Sequence, residues 1–350
     1  MNPSVTETGE ILTKVLRGGR PSREEAVSLC REGTLLDLAS AAGELVRRVN
    51  PAGRVGYIVN KTILYSNVCR PQCPFCEGTV TKESAEAFTR TPEEVAAEAA
   101  EAAARGATQV ILQGGHRDDL PWEYYPSLIR TVKKRCPEVQ VAAFSPSEIA
   151  TFGAVYRKSV DRLIGELKEA GLDAMLGGGS PSLRTRIPEY RALLRDPWPQ
   201  WREVVLGCAA YRIPMAAPFV FGFGETAEER VEYLFRVREV QDEAAAAGFP
   251  VFRVLEVFTL STVSGLEYLR MLALARILVP NVARVASNFL YQGAKVAQVA
   301  LDGGADDMGG TYMEYDKAEL AAGRVGAMTA SEMERLISVA GRIPARRHGL

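Results

Sequence analysis

TPEEVAAEAAEAAARGATQVILQGG, residues 91–115, contains one helix followed by one strand of a 350-residue chain. Thr91 and Glu94 are spaced as a capping box, and Pro92 stands at the first helical position, where proline is well tolerated. The alanine-rich segment that follows is amphipathic, and TQVIL (108–112) is a short apolar and β-branched run. The stretch therefore predicts a helix that leads into a buried strand.

The same alternation of helix and strand recurs along the chain. Amphipathic segments separate short strand-like runs. Two more capping boxes begin such segments, one at Ser22 before the first run and one at Thr226. These runs are VGYIV (55–59), VQVAAF (139–144), DAML (173–176), PMAAPFVF (214–221), VFRVLEVF (251–258), ARVASN (283–288) and, more weakly, GGADDMGG (303–310). Such a series predicts an α/β fold, a closed parallel (β/α)8 barrel of the TIM type. We place the barrel and its C-terminal helices at residues 51–345, after an N-terminal helical extension at residues 1–50.

The overall charge excludes several kinds of partner. The chain has 42 basic and 43 acidic residues, so no basic field attracts nucleic acid or an anionic membrane. No eighteen apolar residues follow one another, and the first residues do not resemble a signal peptide. We therefore expect a cytoplasmic protein that acts on a small-molecule substrate.

Three of the six cysteines lie in CRPQCPFC (69–76), namely Cys69, Cys73 and Cys76. They follow the first predicted strand, so they lie on the first βα loop, at the mouth where barrel enzymes carry their chemistry. In a reducing cytosol, clustered cysteines indicate metal or redox chemistry rather than disulfides. The isolated Cys30, Cys136 and Cys208 are expected to be small buried residues.

A fourth ligand for this loop is hard to find in the sequence. A tetrahedral zinc site would have to recruit His116, because the other histidine, His348, lies at the C-terminus. An iron–sulfur cluster that leaves one iron open accounts better for three thiolates. Structural zinc remains the alternative at this point.

The spacing Cys-x3-Cys-x2-Cys, with Phe75 before the last cysteine, resembles the signature of the radical S-adenosylmethionine (SAM) superfamily. The resemblance implies a [4Fe–4S] cluster held by Cys69, Cys73 and Cys76, with the amino and carboxylate groups of SAM on the fourth iron. It also implies an electron donor, such as flavodoxin or ferredoxin, and a 5′-deoxyadenosyl radical that abstracts hydrogen from the substrate. The missing ligand is then the cosubstrate itself.

Three further stretches fit SAM binding by the same resemblance. Gln113, Gly114 and Gly115 end the second strand, where a glycine pair lets the backbone approach the amino end of SAM; ordinary turn glycines are the alternative. The other two stretches are Ser145 with Glu148 after the third strand, and Val220, Gly222 and Glu225 after the fifth. For these the alternatives are a helix cap made by Ser145 and a dipole contact made by Glu225.

The resemblance narrows to one branch of the superfamily. YIVNKTILYSNVC, ILQGGHRDDLPWEYY, GLDAMLGGG and GADDMGGTYME resemble the branch of cyclic dehypoxanthinyl futalosine synthase, aminofutalosine synthase and deazaflavin (FO) synthase subunits, with the futalosine cyclase nearest. That branch implies radical carbon–carbon bond formation, and its cyclase serves menaquinone biosynthesis. Three stretches of this chain, which contain Glu77, Arg184 and Glu256, depart from the pattern of the cyclase. The alternative is therefore a divergent paralogue that acts on another nucleoside or on an aromatic amino-acid derivative. A non-enzymatic iron–sulfur carrier or sensor is the remaining alternative.

Three residues are candidates for proton transfer. Asp307 and Glu314 lie in the last loop, where a carboxylate could accept the proton that a radical cyclisation releases. His116 follows the glycine pair and titrates near neutrality in ordinary surroundings. A solvated acidic turn, which would include Asp306, and a hydrogen-bonded loop histidine are the alternatives.

Overall fold

Parallel strands form one sheet at the centre of the protein. The computed structural model describes residues 3–71, 76, 78–178, 197–259, 263–313 and 328–350. Within these ranges the strands are β1 (Arg54–Ile58), β2 (Asn60–Leu64), β3 (Gln109–Gln113), β4 (Gln140–Ala143), β5 (Ala174–Met175), β6 (Met215–Phe221), β7 (Phe252–Thr259), β8 (Arg284–Ser287), β9 (Asp307–Gly310) and β10 (Ile343–Arg347).

The sheet closes on itself through one continuous run of chain. Val59 alone separates β1 from β2, so the two strands are halves of one run. β2 pairs with β3, the order continues strand by strand to β9, and β9 pairs with β1. All these pairs are parallel. The predicted (β/α)8 barrel is therefore confirmed, with the β1–β2 run as its first strand and β9 as its eighth.

Helices alternate with the strands and cover the outside of the barrel. They are α1 (Pro3–Leu16), α2 (Arg23–Glu32), α3 (Leu35–Val49), α4 (Pro92–Ala104), α5 (Tyr124–Arg135), α6 (Pro146–Tyr156), α7 (Val160–Glu169), α8 (Pro197–Ala210), α9 (Ala227–Ala246), α10 (Gly265–Leu278), α11 (Phe289–Val299) and α12 (Ala330–Val339). The capping boxes at Ser22, Thr91 and Thr226 form as predicted. None of the helices in the described ranges is long and apolar enough to span a bilayer.

Two of the three N-terminal helices, α2 and α3, pack on the helices of the barrel, and α1 packs on these two. α3 lies along α10, and α2 lies against α9. Arg23 of α2 forms ion pairs with Glu232 and Glu239 of α9. The division of the chain into residues 1–50 and 51–345 stays a prediction.

Two sets of strand side chains identify the inside and the outside of the barrel. Leu255 and Val257 belong to the large core that includes the helices. Val254 instead packs with Ala216 and Ala286 in a separate small cluster. Because side chains alternate across a strand, this second set faces the barrel interior. Ala216 and Val254 lie towards the amino ends of β6 and β7, and Ala286 is the third residue of β8.

The C-terminus closes the amino-terminal end of the barrel. β10 pairs with the full length of β1, from Arg54 opposite Ile343 to Ile58 opposite Arg347. Leu350 packs against the small interior cluster. β10 is absent from the predicted strands, because IPARR carries a proline and two arginines and its residues are at most half-buried, so no apolar pattern marks it.

Candidate active site

The cysteine loop begins at the carboxyl end of the first barrel strand. The backbone N–H of Cys69 donates to the carbonyl of Val80 at 3.1 Å, and the N–H of Val80 donates to Asn67 at 3.0 Å. Cys69 is buried, whereas Cys76 is exposed and its carbonyl accepts a 2.9 Å hydrogen bond from the Thr79 hydroxyl. The described ends of the loop thus lie where chemistry at a barrel mouth is expected.

Five residues of the sequence argument lie outside the described residues: Cys73, Phe75, Glu77, Arg184 and Glu314.

The glycine pair after β3 lies directly against this loop. A Cβ on Gly115 would stand 2.2 Å from the carbonyl oxygen of Val68 and 2.5 Å from the Cβ of Cys69. A Cβ on Gly114 would stand 2.1 Å from the ring of Tyr65. Gln113, before them, is exposed, and its carbonyl accepts the Tyr65 N–H at 2.8 Å. The two glycines therefore let the cysteine loop pack against the end of β3.

His116 contacts the loop through its backbone. Its N–H donates to the sulfur of Cys69 at 3.4 Å, and its carbonyl accepts the N–H of Arg70 at 3.1 Å. The buried ring lies beside α6, with Nδ1 2.7 Å from the hydroxyl of Thr151. An amide that points at a cysteine sulfur suits a thiolate, because it stabilises negative charge on sulfur. Thr151 carries no sequence signal that would have linked it to the site.

A buried polar network lies next to the glycine pair. The Ser145 hydroxyl donates to Glu148 Oε2 at 2.7 Å, and the Tyr65 hydroxyl donates to Glu148 Oε1 at 3.2 Å. Ser145 is also the N-cap of α6, in agreement with the alternative interpretation of this residue. Burial, followed by the charge of Glu148, raises the pKa of Tyr65 well above its ordinary value, so the phenol stays protonated. The network holds a carboxylate at the end of β4.

Glu225 fixes the loop after β6. Its two oxygens accept the backbone N–H groups of Gly222, at 2.8 Å, and Phe223, at 2.7 Å, and Arg230 donates to it at 2.8 Å. Burial opposes ionisation, but these hydrogen bonds hold the pKa of Glu225 below its ordinary value. Gly222 has a φ of 104°, which glycine adopts without strain. Val220, two residues earlier on β6, is half-buried.

The two aspartates before and at the start of β9 are buried ion-pair partners, not a solvated turn. Asp306 pairs with Arg276 and accepts the N–H of Val285 at 2.9 Å. Asp307 lies 2.7 Å from Nε of Arg347 and accepts the N–H of Gly309 at 2.8 Å. No local sequence signal links these arginines to the aspartates. Of the candidate bases, Asp307 therefore has its carboxylate occupied by the C-terminal strand.

The donor set fits an iron–sulfur cluster better than zinc. The described cysteines and the His116 amide place sulfur, and a hydrogen bond to sulfur, at the mouth. The His116 ring, which zinc would require, lies against Thr151 on α6 instead.

Comparison with known proteins identifies the family. The model of the Radical SAM superfamily matches residues 63–237, and the model of the CofH/MqnC C-terminal region matches residues 233–349. The chain is 33% identical over 350 residues to the cyclic dehypoxanthine futalosine synthase of Streptomyces coelicolor, with 96% of this chain and 86% of that protein covered. It is 29% identical over 347 residues to the 5-amino-6-(D-ribitylamino)uracil–L-tyrosine 4-hydroxyphenyl transferase 2 of Methanosarcina mazei, with 95% and 88% covered.

A solved structure has the same fold. The FeFe-hydrogenase maturase HydG of Carboxydothermus hydrogenoformans superposes with a TM-score of 0.70 at 15% identity, over 97% of this chain and 79% of that one. This likeness shows a shared fold, and the family follows from the sequence matches. The chain belongs to the radical SAM superfamily and is an enzyme that uses a [4Fe–4S] cluster and SAM.

Proposed function

We propose that this enzyme converts dehypoxanthine futalosine into its cyclic product, a step of menaquinone biosynthesis. The observation that carries the proposal is the similarity to the Streptomyces coelicolor synthase, 33% identity along 96% of the chain. The similarity reaches both the cysteine loop and the last strands of the barrel, so it is not limited to the cofactor-binding half. Flavodoxin or ferredoxin is the electron donor in this proposal.

Cys69, Cys73 and Cys76 would hold the cluster. When bound, the cluster and SAM supply the radical that removes a hydrogen atom from the substrate. The N–H of His116, 3.4 Å from the sulfur of Cys69, would then donate to a cluster ligand. Hydrogen bonds to ligand sulfurs shift the reduction potential of such clusters, so this amide would tune the redox centre.

SAM would lie across the carboxyl ends of β3, β4 and β6. The backbone of Gln113, Gly114 and Gly115 would border its amino end, beside the cysteine loop. Ser145 and Glu148 would face its polar groups, with Tyr65 keeping the carboxylate in place. Val220 and Gly222 would line the adenine, and Phe75 of the cysteine motif is proposed as a further cofactor-binding residue. Glu225 would act indirectly, because its carboxylate already accepts two backbone amides and holds that loop in shape.

Two candidates for proton transfer are kept in this proposal. His116 is buried beside Cys69, and Glu314 follows β9 in the sequence; we propose both as groups that receive the proton lost in the cyclisation. Asp307 is the third candidate. Its contact with Arg347 favours a supporting role beneath the reaction site.

The proposal is tested by product formation. The anaerobically reconstituted enzyme is incubated with SAM, reductant and dehypoxanthine futalosine, and the cyclic isomer is sought by mass spectrometry and chromatography against a known cyclase. Formation of the cyclic isomer supports the proposal. Formation of 5′-deoxyadenosine without consumption of dehypoxanthine futalosine contradicts the substrate and leaves the family assignment intact.

A second candidate is a divergent paralogue with another substrate. The observation that favours it is the 29% identity to the Methanosarcina mazei transferase over nearly the whole chain, close to the value for the synthase. A parallel incubation with 5-amino-6-(D-ribitylamino)uracil and L-tyrosine tests this arm. If the enzyme couples these two compounds and leaves dehypoxanthine futalosine unchanged, the transferase reaction replaces the cyclisation as its proposed function.

A further inference from the structure

Glu256 is an ionisable side chain inside the barrel that the proposed function leaves unused. It lies on β7 between Leu255 and Val257, both of which face the helices. Because strand side chains alternate, Glu256 faces the interior together with Val254 and Phe258. Val254 belongs to the cluster on which Leu350 packs, and so does Ala286, which pairs with Glu256, so Glu256 borders this apolar floor.

The neighbouring strands offer Glu256 no polar partner. The residues paired with it are Pro218 on β6 and Ala286 on β8, neither of which has a polar side chain. Among the described residues, its carboxylate takes part in no ion pair or side-chain hydrogen bond. Glu256 is half-buried, so it is still reached by solvent from the interior.

The charged groups that act on Glu256 pair with each other. Arg347 on β10 donates from Nη2 to Oδ1 of Asp307 on β9 at 3.0 Å, and its Nε lies 2.7 Å from Oδ2. Asp307 repels and Arg347 attracts the negative charge of Glu256. Glu256 is therefore a third charge beside an ion pair.

An unpartnered carboxylate at this depth is unfavourable in the protein alone. Removing a carboxylate from water without hydrogen-bond donors is costly. Burial raises the pKa of Glu256 to about 7. The positive charge of Arg347 lowers this pKa in part, and the negative charge of Asp307 raises it further. The residue is thus better suited to a bound molecule than to the fold.

The layer above Glu256 leads towards the mouth. Phe258 on β7 and Val220 on β6 face the same interior two positions closer to the carboxyl ends, and both are half-buried. The loop of Gly222 and the cysteine loop lie beyond them. Glu256 is therefore at the inner end of the space that opens under the cofactor-binding mouth.

We propose that Glu256 binds a hydrogen-bond-donating group of the substrate, a hydroxyl or an amine, at the floor of the barrel and so determines which substrate is accepted. The proposal rests on the proposed function for the location of the substrate, but not for its identity. A ribosyl or ribityl chain, rich in hydroxyls, is the class of group that this carboxylate would receive.

The test measures equilibrium binding without turnover. SAM-loaded, unreduced enzyme is titrated calorimetrically with dehypoxanthine futalosine, in parallel with 5-amino-6-(D-ribitylamino)uracil, and the compound that the wild-type enzyme binds is used for the variants. Glu256→Gln is compared with Glu138→Gln, an exposed residue in the turn before β4. Loss of one charge-assisted hydrogen bond should weaken binding about tenfold or more in Glu256→Gln. Glu138→Gln should bind as the wild type does.

The pH dependence and the stability of the variant separate this role from a structural one. Wild-type binding should strengthen between pH 6 and pH 8, as Glu256 ionises around pH 7, and binding to Glu256→Gln should be flat. The pKa of Glu256 is higher in the folded protein than its ordinary value of 4.5. Ionisation of Glu256 therefore lowers the stability of the fold increasingly as the pH rises from 4.5 to about 7. The thermal midpoint of Glu256→Gln should therefore exceed that of the wild type, and by more at pH 8 than at pH 5.

Two results would overturn the inference. One is unchanged affinity of Glu256→Gln for a compound that the wild type binds. The other is a lower thermal midpoint at pH 8, which would mean that Glu256 has a structural partner. If the wild type binds neither compound, the proposed substrates fail, and the midpoint comparison alone decides whether Glu256 is an unpartnered carboxylate.

Discussion

Gly115 lets Cys69, the proposed cluster ligand, pack against the end of β3 because it lacks a side chain. The sequence predicts that the glycine pair leaves room for SAM. The space that a Cβ of Gly115 would take is filled by the protein itself, by Val68 and Cys69. Close packing of β3 against the cysteine loop is therefore a second reason for glycine, and it couples the SAM-binding strand end to Cys69.

Substitution of Gly115 by alanine should disturb both stability and cluster loading. The nearest atoms are backbone atoms that cannot rotate away, so we expect a loss of about 1–3 kcal/mol in the free energy of unfolding and fewer irons per chain after reconstitution. Gly9→Ala is the control, because a Cβ at this position of helix α1 would have nothing within 4 Å. It should be neutral or stabilising by up to about 1 kcal/mol. Equal iron content in Gly115→Ala and wild type would contradict the packing argument.

The cysteines differ in their ability to bind iron. Changing Cys69, Cys73 or Cys76 to alanine should abolish the visible iron–sulfur absorbance, which corresponds to about four irons per chain. Cys208 is buried with its sulfur 3.6 Å from that of Met175, and burial raises its thiol pKa far above the ordinary value, so no thiolate forms there. Cys208→Ala should keep the full absorbance. Bleaching by this control would refute the assignment of ligands.

Glu225 should stabilise the protein in a pH-dependent way. Replacement by glutamine removes an acceptor oxygen that binds a backbone amide, so we expect a loss of about 1–3 kcal/mol at pH 7. The folded pKa lies below the ordinary 4.5, so this stabilisation is complete above about pH 4.5 and disappears as pH falls through the lower folded pKa. Urea unfolding of wild type and Glu225→Gln should therefore converge in acid. Glu243→Gln, exposed on the helix that follows, should change little, and a Glu225 effect that is constant with pH would contradict the account.

At the scale of elements, β10 pairs along β1 and ends at a buried ion pair. Arg347 at its end reaches Asp307 of β9, whose carboxylate fits because position 56 is glycine; a Cβ there would lie 2.1 Å from Asp307 Oδ2. Strands β1 to β8 could be predicted from their apolar and β-branched runs, and β9 only more weakly. β10 could not, because its pairing with β1 joins nearly opposite ends of the chain and its residues show no alternation.

Loss of Arg347 should release this strand. Arg347→Met leaves Asp307 buried without its cation, and we expect a loss of about 3–5 kcal/mol in the free energy of unfolding, measured with urea. The double variant with Asp307→Asn should recover part of it. Arg342→Met is the matched control, because its pair with Asp302 is 2.9 Å long but that carboxylate is 75% exposed, and it should cost less than about 1 kcal/mol. Similar losses in both single variants would contradict a special role for the buried pair.

At the scale of the molecule, the sequence was a better guide to the cofactors than to the substrate. The cysteine spacing and the repeated helix–strand units are local patterns, so the barrel and the cofactor class could be predicted. The ion pairs Arg276–Asp306 and Arg347–Asp307 join residues far apart along the chain with no local signal, so the sequence could not show that these two aspartates are ion-pair partners and not bases at the mouth. The position of Glu256 in the interior likewise requires the closed sheet.

The central claim is that a radical formed at this mouth reacts with the ribose of dehypoxanthine futalosine. The most direct measurement uses that compound with deuterium at the ribose C4′, incubated with reduced enzyme and SAM, and follows the label by mass spectrometry. The account predicts singly deuterated 5′-deoxyadenosine, formed together with the cyclic product and absent with Cys73→Ala. Turnover that yields unlabelled 5′-deoxyadenosine, or no turnover beside an active cyclase, would contradict it.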